Sequence, residues 1–448
     1  MPEEWPEFHG ITLAALVHPM RLMNRGFFTI MAAQFFSSLA DNALLIVSIS
    51  LLITMQAPEW MTPLLKLFFV LSYVVLAGFV GAFADAFPKG RVMFITNLVK
   101  ITGCLMMFWH VHPLLAYAMV GFGAAAYSPA KYGILTELLP PEKLVAANGW
   151  IEGLTVLSII LGTVLGGALV SPQFAASLMD LFPFLGIPET TSIEMTLTVI
   201  MVLYVLASLF NLKIPDTGAR YPNQEHNPLR LIADFSHCFV TLWRDRLGQI
   251  SLAVTSLFWG AGATLQFIVL KWAEKALDMR LDKAAILQGV VALGVAFGAM
   301  AAARMIPLKR SLTVMPLGLA MGLIVILMTV IKSVWLAYPL LILIGALSGY
   351  FVVPMNALLQ HRGHVLMSAG HSIAVQNFSE NLSILIMLAL YALMVKLDLD
   401  IYIVIVLFGS FVAGSMWMIM RKHTTNQREY DSLHLIGERK HLSAHIEA

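Results

Sequence analysis

Twelve apolar segments, each long enough to span a lipid bilayer, run through this 448-residue sequence. A spanning helix needs about 20 mostly apolar residues. Such segments lie at 27–54, 62–84, 91–109, 112–136, 149–171, 195–212, 248–272, 283–306, 311–331, 335–360, 369–396 and 399–421. Only 12% of the residues are charged and 59% are hydrophobic, an excess that a soluble core could not hide. The sequence therefore predicts an all-α membrane protein and excludes a soluble enzyme, a disordered regulator and a nucleic-acid binder.

The one long polar segment between spans follows the sixth span and divides the chain into two halves. Its second part has apolar residues at helical spacing, which predicts an amphipathic helix on the membrane surface. The polar C-terminal tail is expected to be loosely ordered. The predicted organisation is an N-terminal arm at 1–26, a six-helix bundle at 27–212, a linker at 213–247, a second six-helix bundle at 248–421 and a tail at 422–448.

The positive charges predict the orientation of the chain in the membrane. Connections after spans 1, 3 and 5 contain no Lys or Arg, whereas those on the other side contain Lys89, Lys143, Lys309 and Arg362. Because positively charged connections stay in the cytoplasm, both termini are expected there.

The two halves resemble each other in their fourth helices. Pro129 precedes Lys131 by two residues, and Pro354 precedes Asn356 by two residues. Two six-helix units of the same direction suggest parallel halves with a substrate path between them, and they make Asn356 a candidate substrate contact.

Four ionisable residues stand out within the predicted spans: Asp41, Lys131, Glu152 and Glu380. A charge at the bilayer centre costs several kcal/mol unless it is paired or hydrated. Two interpretations stay open. Asp41 or Glu380 could pair with Lys131 and lock helices together, or the charges could line a polar cavity that contacts substrate or a coupling ion. The amides around Glu380 at helical spacing, Gln376, Asn377 and Asn381, favour the cavity.

Glu152 and Lys100 give a weaker indication of a site than Lys131 and Glu380 do. Glu152 opens the fifth predicted span, where a helix-end or gate contact and a site residue are equally favoured. Lys100 lies low in the third predicted span, where its long side chain is expected to extend to the membrane surface.

A glycine-and-charge pattern joins the second and third spans. Gly81, Asp85 and Arg91 form G-x-x-x-D-x-x-x-x-x-R, which resembles the loop signature of the major facilitator superfamily. Asp85 is expected either to cap the positive end of a neighbouring helix or to pair with Arg91. Both arrangements predict a latch that holds a gate closed.

Enzyme and metal motifs are missing from the sequence. It contains no G-x-x-x-x-G-K-[ST], no HExxH and no G-x-S-x-G pattern. Cys104 and Cys238 are far apart and belong to no metal-ligand spacing. We therefore predict a secondary transporter with no resident metal or cofactor.

Longer blocks of sequence resemble the bacterial lysophospholipid transporters of the major facilitator superfamily. The blocks are 38–45, 123–135, 256–262, 351–360 and 373–381, and the likeness runs in order from about residue 30 to 420. The resemblance implies uptake of lysophospholipid, such as lysophosphatidylethanolamine, across the inner membrane of a Gram-negative bacterium. It also implies a separate acyltransferase–acyl-carrier-protein synthetase that re-acylates the lipid.

The resemblance suggests roles for the candidate residues. Lys131 would attract the phosphate of the headgroup, and Glu380 would face its ammonium, aided by Asn377, Asn381 and Tyr132. Sodium is implied as a candidate coupling ion, which Asp41 and Asn42 would bind. The resemblance also implies an arginine in the seventh span, where this chain has Gln266.

Two other functions remain open. A drug, small-amphiphile or sugar transporter on the same fold is one, because fold does not fix substrate. A membrane-embedded acyl-transfer enzyme is the other, and the missing motifs disfavour it.

Overall fold

The computed structural model describes residues 25–58, 61–171, 192–219, 221, 227–279 and 281–438. This part of the chain is helical and contains no β-strand. Most of the predicted N-terminal arm and the last ten residues of the tail lie outside the described residues. The α-helices are α1 Arg25–Thr54, α2 Met61–Val75, α3 Ala77–Ala86, α4 Lys89–Phe108, α5 Pro113–Leu138, α6 Leu144–Val170, α7 Ser192–Leu212, α8 Pro228–Arg244, α9 Gly248–Ala276, α10 Leu281–Met305, α11 Met315–Ile326, α12 Val334–Leu366, α13 Ala369–Lys396 and α14 Ile401–Glu429.

Most of these helices are suited to cross a membrane. Within the described residues, ten candidate spans are long and apolar enough, or eleven if the bent pair α2–α3 counts as one span. Helix α5 has 26 residues and rises about 39 Å, enough to cross a bilayer. Its Gly, Ala, Ser and Lys residues make it less apolar than its neighbours. With α5 included, the helices correspond in order to the twelve predicted spans.

The second predicted span is broken rather than continuous. Helices α2 and α3 meet at Leu76 with a bend of 67°. The break lies beside Gly78, whose missing side chain leaves room for Ile232 of the linker helix α8. The span predicted near 62–84 is therefore present as two helices that meet at an angle, and the linker helix packs beside the bend.

Equivalent helices pack in the same way in the two halves. In the first half, Gly162 and Gly166 of α6 lie directly against backbone carbonyls of α1. In the second half, Gly260 of α9 lies against Ser383 of α13. Small residues let membrane helices approach closely. The prediction of two six-helix bundles related by a parallel repeat is confirmed.

The described part of the C-terminal tail, up to residue 438, is ordered. Helix α14 continues to Glu429, and Ile436 is only 2% exposed in the core below the bundle. The Gly437 amide donates to Nε2 of His361 at 2.8 Å. The expectation of a loosely ordered tail is therefore wrong for this stretch, because an apolar side chain anchors it.

We call the end of the bundle that carries the linker the linker end. Direct hydrogen bonds between the two halves lie on this side, for example those of Asn148 in α6 with Gln360 in α12. Farther from the linker end, polar residues such as Asn42, Gln266 and Asn381 are half-buried. The cleft between the halves is thus closed at the linker end.

Candidate functional site

The first group of charges lies wholly inside the N-terminal half. Lys100 of α4 donates to Oδ2 of Asp41 at 2.8 Å and to the Ser37 hydroxyl at 3.0 Å. The Tyr204 hydroxyl of α7 donates to the other carboxylate oxygen of Asp41 at 2.6 Å. We call Ser37, Asp41, Lys100 and Tyr204 the Asp41 cluster. Both oxygens of the carboxylate and its counter-ion are engaged there.

This arrangement corrects two expectations. The counter-ion of Asp41 is Lys100 and not Lys131, so the Asp41–Lys131 pair that the sequence left open is absent. Lys100 is 1% exposed and does not extend to the membrane surface. Its ammonium lies between the rings of Tyr127 and Tyr204, at 4.9 Å and 5.7 Å, which adds cation–π attraction.

Asn42, the other predicted ion ligand, points elsewhere. Its amide donates to the Ser38 carbonyl of its own helix at 2.8 Å, and its Cβ lies beside Gly162 of α6. The structure therefore does not place the Asn42 amide on the Asp41 carboxylate.

The second group of charges lies where the halves face each other. Lys131 of α5 is 9% exposed, and its ammonium lies 4.1 Å from the centre of the Tyr132 ring. Within the described residues it forms no ion pair with Glu380 or with any other carboxylate. We call Lys131, Glu152 and Glu380 the inter-half cluster.

Glu380 of α13 is surrounded by amides, as its sequence neighbours predict. The Gln376 side chain donates to Oε1 of Glu380 at 2.8 Å and to the side-chain Oδ1 of Asn356 at 3.3 Å. The Thr255 hydroxyl of α9 also lies against the carboxylate. Glu380 and Asn356 are 7% and 2% exposed, so this polar group is enclosed by protein. The salt bridge between Glu380 and Lys131, one of the two interpretations that the sequence left open, is absent.

Glu152 lies deeper than expected. Helix α6 begins at Leu144, so Glu152 is more than two turns inside it and is not a helix-end residue. Its Oε1 is buried without a hydrogen-bond partner. The carboxylate is in electrostatic range of both Lys131 and Glu380. Glu152 therefore belongs with the central charges.

Polar side chains join the halves next to this cluster. Asn377 of α13 donates to the Ser128 hydroxyl of α5 at 2.9 Å. Asn148 and Gln360 exchange two hydrogen bonds, at 2.9 Å and 3.0 Å. Asn381 instead donates to the Asn377 carbonyl of its own helix at 2.8 Å. Because bonds between the halves must break if the linker end opens, Ser128–Asn377 and Asn148–Gln360 act as closures.

The predicted latch caps a helix. Asp85 at the end of α3 accepts the amides of Gly370 and His371, at 2.9 Å and 3.3 Å, at the positive end of α13. His371 Nδ1 also lies 3.0 Å from the carboxylate. The first of the two expected arrangements is the one present, and it joins the halves.

The cation beside Asp85 is Lys89 and not Arg91. Lys89 is buried and lies 2.6 Å from Asp85 and 3.4 Å from Glu137, whereas Arg91 is exposed and makes no ion pair with Asp85. Helix α4 begins at Lys89. Arg91 lies two residues further along this helix, and its side chain is exposed. The linker residue Tyr221 donates to Glu137 at 2.9 Å. Burial, with the nearby carboxylates, raises the pKa of Tyr221, so its phenol remains a donor.

Gln266 is not part of the inter-half cluster. It lies eleven residues beyond Thr255 on α9, which is about 16 Å towards the opposite end of the bundle. Its side chain is half-buried. Direct contact between Gln266 and the groups around Glu380 is therefore absent.

Sequence reasoning missed several residues of these groups. Tyr204 and Ser37 carry no charge and gave no signal, although both contact ions. Gln360 lies in block 351–360, which carries the family resemblance. Its partner Asn148 is distant in sequence, so the pair could not be identified from either segment alone. Among the described residues, no group of three or more His, Cys, Asp or Glu side chains could hold a metal ion.

Comparison with known proteins gives one family. The model of the Major Facilitator Superfamily matches residues 26–388. Proteins named lysophospholipid transporter LplT are similar over most of the chain. That of Yersinia enterocolitica is 42% identical over 382 residues, covering 85% of this chain and 90% of its own length. That of Serratia proteamaculans is 42% identical over 377 residues, covering 84% and 90%.

Solved structures show the same fold. The E. coli fucose:proton symporter FucP has a TM-score of 0.67 and 14% identity, covering 89% of this chain and 98% of its own. The human organic anion transporter MFSD10 has a TM-score of 0.67 and 16% identity, covering 90% and 100%. The chain belongs to the major facilitator superfamily: it is a multi-pass membrane protein and a secondary transporter, not an enzyme.

Proposed function

We propose that this major facilitator superfamily member carries lysophospholipids across the membrane by alternating access between its two bundles. The observation that carries the proposal is the inter-half cluster, where a cation and two carboxylates are enclosed at the junction of the halves without direct pairing. Buried charges that are unpaired are costly. A zwitterionic headgroup offers both partners that such a site lacks. The similarity to proteins named lysophospholipid transporter supports the same substrate class.

The headgroup would lie between Lys131 and Glu380. The Lys131 ammonium would donate to the phosphate in a charge-assisted hydrogen bond. Glu380, held by Gln376, would accept from the ammonium of ethanolamine, with Asn377 and Asn381 beside it. The ring of Tyr132, whose centre lies 4.1 Å from the Lys131 ammonium, would hold it in place by cation–π attraction. The single acyl chain would stay against apolar helix surfaces or the lipid itself.

Rocking of the halves would carry the headgroup across. Closure at the linker end is provided by Asp85 on α13 and by the Asn148–Gln360 pair. Breaking these contacts would open the cleft at the linker end. We propose that the linker end faces the cytoplasm of a Gram-negative cell, as its Lys and Arg residues predict, and that the protein lies in the inner membrane.

Sodium coupling and re-acylation are further parts of the proposal. Asp41 is the candidate sodium ligand, but Lys100 and Tyr204 engage both of its oxygens. A sodium ion would have to displace the Lys100 ammonium, so coupling would require this pair to open during transport. A separate acyltransferase–acyl-carrier-protein synthetase would consume the delivered lipid.

Uptake into proteoliposomes tests the function. Labelled lysophosphatidylethanolamine is compared with a labelled sugar and a cationic drug, with and without a sodium gradient. We expect saturable uptake of the lysolipid, with no product formed by this chain alone. Saturable uptake of the sugar or the drug in place of the lysolipid would overturn the proposal, and uptake that ignores the sodium gradient would overturn only the coupling.

A further inference from the structure

Lys66 of α2 is a charged residue that belongs neither to the Asp41 cluster nor to the inter-half cluster. It is exposed, although it lies within a candidate membrane span. In the described part of the chain no carboxylate lies within 4 Å of its ammonium. A cation in such a place is expected either to face lipid and extend to the membrane surface, or to face a hydrated cleft.

The helical position of Lys66 favours the cleft. Tyr73 is seven residues further along α2, which places it about 20° round the helix and about 10 Å along it. The Tyr73 hydroxyl is in electrostatic range of Asp41 and of Tyr132, both of which lie inside the bundle. Lys66 and Tyr73 therefore share the inward face.

The opposite face of α2 is the one turned away from the bundle. Val75, nine residues after Lys66 and therefore about 180° round the helix, is 62% exposed. Leu65, the neighbour of Lys66, is 0% exposed in the core of the first half. Lys66 thus lies at the edge of the packed face and not at the centre of the outer one.

The surroundings of Lys66 also differ from those of an outer lysine. Protein atoms desolvate the Lys66 ammonium even though its side chain is exposed, as expected for a group that projects into a concave space. Lys271 of α9 lies at the same distance from its helix end, five residues, and is 59% exposed. It pairs with Glu274 and is scarcely desolvated.

We propose that Lys66 is a docking site for the phosphate of the substrate, at the entrance of the cleft on the side opposite the linker end. Because α2 begins at Met61 on that side, a headgroup entering the cleft meets Lys66 before it reaches Tyr73 and then Lys131. A cation at the entrance raises the local concentration of an anionic group. The inference rests on the proposed function, and it adds a second phosphate contact to it.

This role makes a prediction about headgroups. All lysophospholipids share the phosphate and differ beyond it. Lys66 is therefore expected to favour lysophosphatidylethanolamine and lysophosphatidylglycerol equally, and to leave binding of monoacylglycerol, which has no phosphate, unchanged.

The test compares Lys66→Gln, Lys66→Arg and the control Lys271→Gln in proteoliposomes. For lysophosphatidylethanolamine uptake we expect Lys66→Gln to raise KM about five- to tenfold with kcat little changed, since an early docking contact adds to binding before the transport step. Lys66→Arg should stay within about twofold of the original protein, and so should Lys271→Gln. Higher ionic strength should narrow the difference in KM.

Three outcomes would overturn the inference. The first is an unchanged KM for Lys66→Gln, and the second is an equal rise of KM for Lys271→Gln. The third is a loss of monoacylglycerol binding in Lys66→Gln as large as the loss for lysophosphatidylethanolamine. Failure of the proposed function looks different, because the unaltered protein would then show no saturable lysolipid uptake. Since Lys66 is exposed, the variants are expected to fold, and size-exclusion elution of the purified proteins checks this.

Discussion

The Asp41 cluster and the inter-half cluster are both groups of charges enclosed in a membrane protein, but they are built in opposite ways. In the first, Lys100 and Asp41 lie 2.8 Å apart and each has further polar partners. In the second, Lys131 contacts an aromatic ring, Glu152 has an unpartnered oxygen, and Glu380 contacts only neutral groups. The first group is complete by itself, and the second is not.

The difference separates stability from function. A buried charge is costly unless it has a partner of opposite charge. That partner is either another side chain of the protein or a bound substrate. Removing one partner of a complete group should harm the fold, whereas changing a member of an incomplete group should harm substrate binding. Four predictions follow this contrast.

The largest effect on stability is expected from Asp41→Ala. This change leaves the Lys100 ammonium enclosed without its counter-ion, a loss of about 3–5 kcal/mol for a buried pair. Thermal unfolding of the purified protein in detergent measures it. The exposed pair Lys271–Glu274 has a similar distance, 2.9 Å, and serves as the control.

Glu274→Gln should cost less than about 1 kcal/mol, because exposed pairs contribute little. A double variant, Asp41→Asn with Lys100→Met, should recover most of the stability lost in Asp41→Ala. If Asp41→Ala unfolds at the same temperature as Glu274→Gln, the Asp41 cluster is not a structural pair.

The reverse pattern is expected for Glu380→Gln. Glutamine keeps an oxygen that accepts from Gln376 but removes the charge that would face the ammonium of the headgroup. We expect lysolipid uptake to fall at least about tenfold, the effect of losing one charge-assisted hydrogen bond, with unfolding temperature unchanged or raised. Lys131→Gln should behave in the same way towards the phosphate. Normal uptake by both variants would mean that these charges do not contact substrate.

How far the sequence predicts these two groups depends on their geometry. The fold and the inter-half cluster were accessible because apolar spans, parallel halves and mid-span charges are local patterns. Gln376, Asn377 and Glu380 are close in sequence, so helical spacing alone brings them together. The amide that bonds to Glu380 could thus be predicted from one segment, whereas Thr255 and Asn356 come from other helices.

The Asp41 cluster could not be predicted in the same way. Asp41, Lys100 and Tyr204 come from three helices, and their contact depends on the relative rotation of those helices, which spacing within one helix does not determine. Asp85 shows the same limit: the loop pattern indicated a latch, but the partner, the amides of Gly370 and His371, is 285 residues away. The contact of Ile232 with Gly78 beside the bend is equally non-local.

A smaller effect is expected at the closure beside the inter-half cluster. Asn148→Ala leaves the enclosed Gln360 amide without partners, which costs about 1–3 kcal/mol in the closed state only. The population should therefore shift towards opening at the linker end. A cysteine at Val145, which is 2% exposed, reports this through its labelling rate with a maleimide. Faster labelling in Asn148→Ala is expected, and the doubly apolar Asn148→Leu with Gln360→Leu should reverse part of it.

The smallest effect is expected from Gln266→Arg. Gln266 lies about 16 Å along α9 from the groups around Glu380 and is half-buried, so a longer cationic side chain can reach water in the cleft without displacing packed neighbours. A substitution of this kind changes stability by about 0.5 kcal/mol or less, and uptake should stay within about twofold of the original. The measurement is lysolipid uptake beside thermal unfolding of the same preparation. A folded but inactive Gln266→Arg protein would show that transport requires the Gln266 amide. It would also show that α9 contributes to substrate binding far from the two charge groups.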